Sequence, residues 1–428
     1  MGMTAVEKML ARASGRAGVA PGDVIEPVPD FIMVHDGVVV AARQELDALG
    51  ITRIANPDKV MMVTDHDVLY NTELAVRRGA FNRAAARDWG VKRFFDAGRG
   101  GHGHVFPMET GIVTPGTLYF DNDRHCTNVG GIGAAAFRMG TEISRVLATG
   151  SNWLIVPHTI RLVIKGTAKP GVHARDIGFV IGAKLVAASE DGGFGVDIDY
   201  RIIEFAGELD QFSLAARVSL CSTPTEMRAI GVFFPPSAAI IEYSRARAQH
   251  PFEAVYSDED AHYEATVELD VSALEPQVAL PGGPQRAADL ASVAGERIDH
   301  AYIGSCGSSM WEDLEIAANY LRGRRVAPGV RLLVVPGSEQ STQRMVREGL
   351  AQVFLEAGAT LLPAGCGPCA SGRNGLVHSG EVSISTAVGN GAGRFGARDA
   401  KLYLGSPATV AASAINGCIT DPRTLVPH

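Results

Sequence analysis

No stretch of this 428-residue chain approaches the roughly 20 consecutive apolar residues that span a bilayer. The start, Met1-Gly2-Met3-Thr4-Ala5-Val6-Glu7-Lys8, lacks the apolar centre of a secretion signal. Membrane insertion and export are therefore not expected, and with only six cysteines the chain reads as a protein of the reducing cytoplasm. Excess positive charge is also missing. A formal net charge of −8 opposes broad binding to nucleic acid or a membrane surface, although a local basic patch can still hold a small anion. Gly2 is not followed by an acylation spacing, and the end, Leu425-Val426-Pro427-His428, carries no prenylation cysteine. No internal repeat or low-complexity tract stands out.

What is present is enough apolar material, 46% of the residues, to bury a large core, and the length suggests two to three domains of roughly 100–200 residues each. Short apolar runs alternate with helical periodicity, the pattern of α/β layers. Val60-Met61-Met62-Val63, Thr117-Leu118-Tyr119-Phe120 and Leu332-Leu333-Val334-Val335 read as buried strands. The spacing predicts one helix from about Ser341 to Ala357, with Met345, Leu350, Val353 and Phe354 on one side and Gly358 as its stop. The Pro/Gly/Ala-rich stretch from Leu274 to Ala294 reads as a linker.

Three cysteines occupy one kind of position. Cys306 follows Ala301-Tyr302-Ile303 and Gly304-Ser305, and Cys366-Gly367-Pro368-Cys369 follows Thr360-Leu361-Leu362, so each sits where a strand hands over to a Gly-rich turn. A C-x-x-C pair with a third thiolate from another strand end makes a three-sulfur site. Iron–sulfur clusters normally take four cysteines, so three leave one iron open to a ligand that is not protein, as a catalytic site needs. Zinc, a redox dithiol and plain structural thiols fit a C-x-x-C as well, although the nearest fourth zinc ligand, His378, stands beyond a Gly-rich segment. Cys126, Cys221 and Cys418 read as small buried side chains. Ser309 and Glu312 have capping-box spacing, which predicts a helix right behind Cys306 whose positive end favours its thiolate.

Carboxylates and imidazoles occupy equivalent places. Asp65-His66 follows the strand ending at Val63, Asp123 and His125 follow the strand ending at Phe120, and His102 and His104 lie in Gly100-Gly101-His102-Gly103-His104. Ligands of open α/β sheets collect beyond the carboxyl ends of strands. A single Asp-His pair is more often a hydrogen-bonded loop anchor. Several pairs, in a chain that also carries a cysteine trio, point to proton transfer, because a carboxylate sets the tautomer and basicity of its imidazole.

In order and spacing these segments resemble the aconitase superfamily, specifically large subunits of the isopropylmalate isomerase and homoaconitase type, across nearly the whole chain. Ala20-Pro21-Gly22-Asp23-Val24 and Met33-Val34-His35-Asp36-Gly37 are similar to the family's early segments. Val63-Thr64-Asp65-His66 resembles its D-H motif, Gly103-His104 through Pro107-Met108-Glu109-Thr110-Gly111 its H-x(4)-E-x-G segment, and Asn122-Asp123-Arg124-His125 its D-S-H motif. Cys221 through Glu226 resembles C-N-x-x-x-E, while Gly304-Ser305-Cys306, Gly365 to Cys369 and Ser406-Pro407-Ala408-Thr409 resemble the cluster and C-terminal motifs.

The resemblance implies three α/β domains of the aconitase type, at 1–160, 161–275 and 276–428, the last carrying the cluster cysteines, around a central iron–sulfur site. It implies a 4Fe–4S cluster on Cys306, Cys366 and Cys369, and a hydro-lyase or isomerase acting on a small hydroxy-carboxylic acid. Asp65, His66, His104, Asp123 and His125 would hold and protonate the leaving hydroxyl, and Glu226 would act beside it. The family's swivel domain, with its serine base, is not expected in this chain, so a small partner subunit is. Departures fall on Gly307-Ser308 in place of T-N, Arg124 in place of the serine of D-S-H, Ser222 in place of the asparagine of C-N, and Gly389 in place of the first arginine of N-R-N-F-x-G-R, which keeps Arg394. Arg124, Ser222 and Arg394 are therefore the candidate substrate-binding residues, with specificity altered from isopropylmalate or citrate. The alternatives are a stand-alone dehydratase of an unusual substrate and a catalytically inactive iron-sensing or iron-binding paralogue.

Overall fold

The computed structural model describes residues 2–370 and 374–427. The chain divides into two compact units, the first comprising Met1–Val163, Asp199–Ala206 and Arg228–Val267, the second Ile164–Ile198, Gly207–Met227 and Glu268–His428.

The first unit holds β1 (Val24–Ile25), β2 (Phe31–His35), β3 (Val60–Val63), β4 (Arg93–Phe95), β5 (Leu118–Asp121), β6 (Ala135–Arg138) and β7 (Leu154–Ile155). Five of these form a parallel sheet of order β4-β3-β2-β5-β6. Strands β2, β3 and β5 are buried along their length, which is why they read as unbroken apolar runs. The strand order reverses between β2 and β5, so their carboxyl ends flank the crevice where open sheets bind ligands. Helices Val39–Ala48 and Glu73–Trp89 make the crossovers, the latter capped by the Thr72 hydroxyl and stopped at Gly90, whose φ is +74°.

Strands β8 (Thr159–Lys165), β9 (Ile202–Gly207), β10 (Gly231–Phe233) and β11 (Ala265–Asp270) form a four-stranded sheet of order β10-β9-β8-β11. Along the chain, β8, β9 and β11 each begin in residues of the first unit and finish in residues of the second.

In the second unit, β12 (Gln277–Ala279), β13 (Ala287–Asp289), β14 (His300–Ile303), β15 (Arg331–Val334), β16 (Thr360–Leu361), β17 (Val382–Ser385) and β18 (Lys401–Leu404) form a sheet of order β13-β12-β18-β17-β14-β15-β16. Pairing is parallel from β16 through to β18 and antiparallel at β12 and β13. Here the order reverses between β14 and β17. The doubly wound order of the first unit is thus repeated without any repeat in the sequence. Two expectations need correcting. The stretch from Leu274 to Ala294 is not a linker: Val278, Ala279 and Leu290 are buried, and β12 pairs with both β13 and β18. The predicted helix to Ala357 is two, Glu339–Arg347 and Leu350–Ala357, because Gly349 takes a φ of +81° between them; the four apolar residues named for it are all buried.

Ile303 ends the central strand β14 and is wholly buried in the core of this unit. Ile303→Ala is expected to cost about 2–5 kcal/mol, read by denaturant titration. Glu315→Ala, on the exposed side of helix Trp311–Leu321, should stay within ~0.5 kcal/mol.

Candidate active site

In the first unit, the carboxyl ends of β2, β3 and β5 carry a continuous chain of alternating imidazoles and carboxylates. His35, the last residue of β2, is buried; its Nδ1–H lies 2.9 Å from Asp65 Oδ2 and its Nε2–H 3.3 Å from Asp121 Oδ1. Asp65 follows β3 and also takes the backbone N–H of Gly103 at 3.0 Å and His66 Nδ1 at 2.8 Å. His66 in turn reaches Asp36 at 2.9 Å. On the other side, Asp121 Oδ2 lies 3.2 Å from His104 Nε2, and Asp121 Oδ1 accepts from the Asp123 backbone N–H at 2.9 Å. Asp123 holds His125 through Nδ1 at 3.1 Å and through its backbone N–H at 2.9 Å. The middle of the network is buried, while its ends at His66 and Asp123 reach solvent, with side chains 25% and 35% exposed.

Electrostatics set the protonation pattern. Burial by itself would discharge His35, but the Asp65 and Asp121 carboxylates outweigh it and hold the imidazole charged, well above its usual range. Burial likewise works against Asp65, yet His35 and His66 keep it well below the usual carboxylate range; Asp121 is lowered by His35 and His104, and Asp123 by His125 and His104. His102 goes the other way: burial pushes its pKa well down, and its Nδ1 accepts the His104 backbone N–H at 3.2 Å, as only a neutral ring can. His104 is therefore fixed at Nε2 by Asp121 and at its backbone by His102. Its Nδ1 is buried with no hydrogen-bond partner among the described residues.

In the second unit, Cys306, Cys366 and Cys369 are all buried, at 3%, 6% and 7% exposure. The turns that carry them are built from backbone with positive φ: Gly304 at +152°, Ser305 at +71°, Gly365 at +152° and Gly367 at +55°. A Cβ on Gly304 would lie 2.7 Å from the Tyr302 ring and one on Gly367 2.7 Å from Val335, so glycine is required twice over. Tyr302, in β14, donates to the Cys366 carbonyl at 3.1 Å, tying the two turns together. Thr386, just past β17, takes the Gly304 N–H at 2.8 Å and the Ser305 hydroxyl at 3.2 Å. Burial raises the Tyr302 phenol, and Cys369, Cys366 and Cys306 raise it further.

Two arginines attend them. Arg394 donates through Nη2 to Cys369 Sγ at 3.3 Å, and Cys369 is the main reason its pKa is raised; Glu226 and Cys306 add to it. Arg175, fully buried, is pushed down to about 10 by burial against the pull of Cys306, Cys369 and Glu226, and so stays charged at neutral pH. The helix behind Cys306 begins at Trp311, and the Asp313 carboxylate, rather than Glu312, caps it by taking the Met310 N–H at 3.1 Å. His378 is exposed, its ring on the Ser379 carbonyl, and is no fourth ligand. Of the other cysteines, Cys126 and Cys221 are buried and Cys418 is partly exposed.

Every candidate named from the sequence has a definite place. Asp65, His66, His104, Asp123 and His125 belong to one network; Glu226, Arg394 and the three cysteines form a second group; Ser222 lies against Gly307, where a Cβ would come within 2.7 Å of its hydroxyl. Arg124 is exposed on the turn after β5. Sequence reasoning missed His35, Asp121 and Arg175. The first two were legible as strand-end residues; Arg175 was signalled only by a cation in a helix otherwise burying Ile177, Phe179, Ile181 and Leu185.

The aconitase family (aconitate hydratase) matches residues 7–417. A 3-isopropylmalate dehydratase large subunit from Methanopyrus kandleri is 39% identical over 99% of both chains, and a probable methanogen homoaconitase large subunit from Methanothermobacter thermautotrophicus is 36% identical over 98% of both. Among solved structures, Thermococcus kodakaraensis aconitase X in its holo-form superimposes with a TM-score of 0.50 at 11% identity, covering 90% of this chain and 87% of that one.

His35→Gln leaves two buried carboxylates without their cation and is expected to cost about 3–5 kcal/mol, measured by denaturant titration. His35 is raised, so its contribution is full below pH ~6.5 and is lost as pH rises through the folded value. The lowered aspartates contribute fully above pH ~3.9 and lose it as pH falls through theirs. The penalty should therefore be largest between these limits and shrink toward strong acid.

Proposed function

The chain belongs to the aconitase family, and from that premise we propose that it is the large subunit of an iron–sulfur hydro-lyase acting on a small hydroxy-carboxylic acid. The observation that carries this reading is His104: one ring nitrogen anchored on a buried carboxylate, the other buried and unbonded. A general acid that must present one proton in one direction needs that arrangement. We assign to His104 Nδ1 the proton given to the departing hydroxyl. Asp121 takes the Nε2–H and fixes the ring's orientation, the second proton standing on Nδ1 when the ring acts as the acid, and His35, charged between Asp121 and Asp65, keeps both aspartates ionised so that neither competes for that proton. His66 at one end and Asp123 with His125 at the other are the exits through which the network exchanges protons with solvent.

The donor set of the second unit fits a 4Fe–4S cluster: three buried thiols on two turns tied together by Tyr302, with unbonded buried guanidinium donors on Arg175 and Arg394 to meet its negative charge. Cys306, Cys366 and Cys369 would hold it. Such a cluster, when bound through three thiolates, supplies Lewis-acid assistance to the loss of hydroxide. Arg394, with Arg124 and Ser222, is assigned to the substrate's carboxylates, and Glu226 to its hydroxyl side. The C–H base is assigned to a small partner subunit, in keeping with relatives named as large subunits that the chain matches over 98–99% of their length.

Altered specificity is part of the proposal. A Cβ at Gly389 would sit 3.6 Å from Glu226 Oε2, so the missing side chain leaves space beside that carboxylate. The division into three α/β domains at 1–160, 161–275 and 276–428 is also proposed, supported by three sheets whose strands group in that way along the chain, β2 to β6, β8 to β11 and β12 to β18.

The test uses the anaerobic chain with its small subunit and a panel of hydroxy acids, following formation of the carbon–carbon double bond by ultraviolet absorbance. His104→Ala should slow turnover by about 10²–10⁴-fold with iron content unchanged. Wild-type rates in that variant would remove His104 from the chemistry, and preference for 3-isopropylmalate over the rest of the panel would contradict altered specificity.

A further inference from the structure

Arg175 has no part in the proton and substrate assignments above, yet it is among the largest fully buried side chains of the molecule. It stands at the start of helix Ala174–Val186, where its neighbour Asp176 caps the helix by taking the His173 N–H at 2.7 Å. The guanidinium is held in two ways: Nη2 donates to the Ala387 carbonyl, and the group lies over the Phe179 ring at 5.1 Å. Ala387 is next to Thr386, which takes the N–H of Gly304 and the hydroxyl of Ser305, the two residues before Cys306. Arg175 is thus fastened to the strand end that shapes the Cys306 turn.

Its other two nitrogens are the anomaly. Nε and Nη1 are buried and have no hydrogen-bond partner among the described residues. A buried guanidinium with two donors unused is strongly unfavourable unless an anion completes it. The carbonyl and the ring that hold it are both neutral. The anionic groups acting on it are Cys306, Cys369, Glu226 and Asp313. Asp313 is spent on its own helix cap at 3.1 Å.

We propose that Arg175 is a positioning residue for the cluster, its Nε and Nη1 donors reserved for the negative charge that Cys306 and Cys369 hold, so that it sets the cluster's reduction potential. The proposal rests on the cluster reading of the three thiols. A fixed buried cation favours the more negative, reduced state, so its removal lowers the potential. Without a cluster the same cation is only a burden, and an apolar side chain of similar length should be neutral or stabilising there.

The experiment compares wild type, Arg175→Met and Arg175→Lys as full chains, each with the cluster reconstituted anaerobically and each cluster-free. Redox titration followed by electron paramagnetic resonance should give Arg175→Lys close to wild type. Arg175→Met should need at least a tenfold higher reductant-to-oxidant ratio for half-reduction, about 59 mV for a one-electron couple. In the cluster-free chain Arg175→Met should melt no lower than wild type. Failure of Arg175→Met to take up iron where Arg175→Lys takes up a full complement also supports the proposal. An unmoved potential in Arg175→Met overturns it, as does failure of Arg175→Lys to hold iron. A cluster-free Arg175→Met chain that melts below wild type overturns it too, because a purely structural arginine behaves so. Absence of iron from wild type would instead refute the cluster reading itself.

Discussion

A single imidazolium, His35, buried between two carboxylates that belong to two other strands, is the interaction on which the proton-handling side of this protein depends. Both carboxylates offset the burial of that cation, and it helps hold both aspartates ionised, together with His66 at Asp65 and His104 at Asp121. The three therefore stabilise one another. Because each ends or follows a different strand of one parallel sheet, the charge balance also fixes where β2, β3 and β5 stop and where the loop with Gly103 and His104 must lie. Stability and positioning arise from one set of contacts, and a change at His35 is felt at His104, one carboxylate away.

The thiol side uses a different device. Its constraint is backbone conformation: positive φ at Gly304, Ser305, Gly365 and Gly367 folds two turns tightly enough to bury three sulfurs, and Tyr302 and Thr386 pin those turns to neighbouring strands. Positive charge there is supplied by Arg175 and Arg394. Both devices lie beyond the carboxyl ends of strands, β2, β3 and β5 in one unit and β14 and β16 in the other.

Much of this was legible in the sequence. Buried parallel strands read as apolar runs, and the residues just after them are candidates because ligands gather there; Asp65, Asp123 and the cysteine trio were singled out that way, and His104 by its Gly-rich segment. What escaped was pairing at a distance. Nothing in the sequence tells that Asp65 holds His35 as well as its neighbour His66, or that Asp121, one residue past the apolar run that ends at Phe120, joins His35 to His104. Arg175 escaped because it is 131 positions from Cys306 in the numbering, and only the fold brings the Ala387 carbonyl to it. The misread stretch from Leu274 to Ala294 has the Pro/Gly content of a linker because short antiparallel edge strands tolerate those residues at their ends. The helix break at Gly349 was hidden by apolar periodicity that continues across it.

The central claim is that Cys306, Cys366 and Cys369 together hold a cluster with one iron left open, and the most direct measurement is iron and acid-labile sulfide per chain in anaerobically purified protein. The account predicts close to four of each, about one 4Fe–4S cluster, and essentially none in Cys366→Ala. Zinc in place of iron in the wild type, or a full iron complement in that variant, would contradict it.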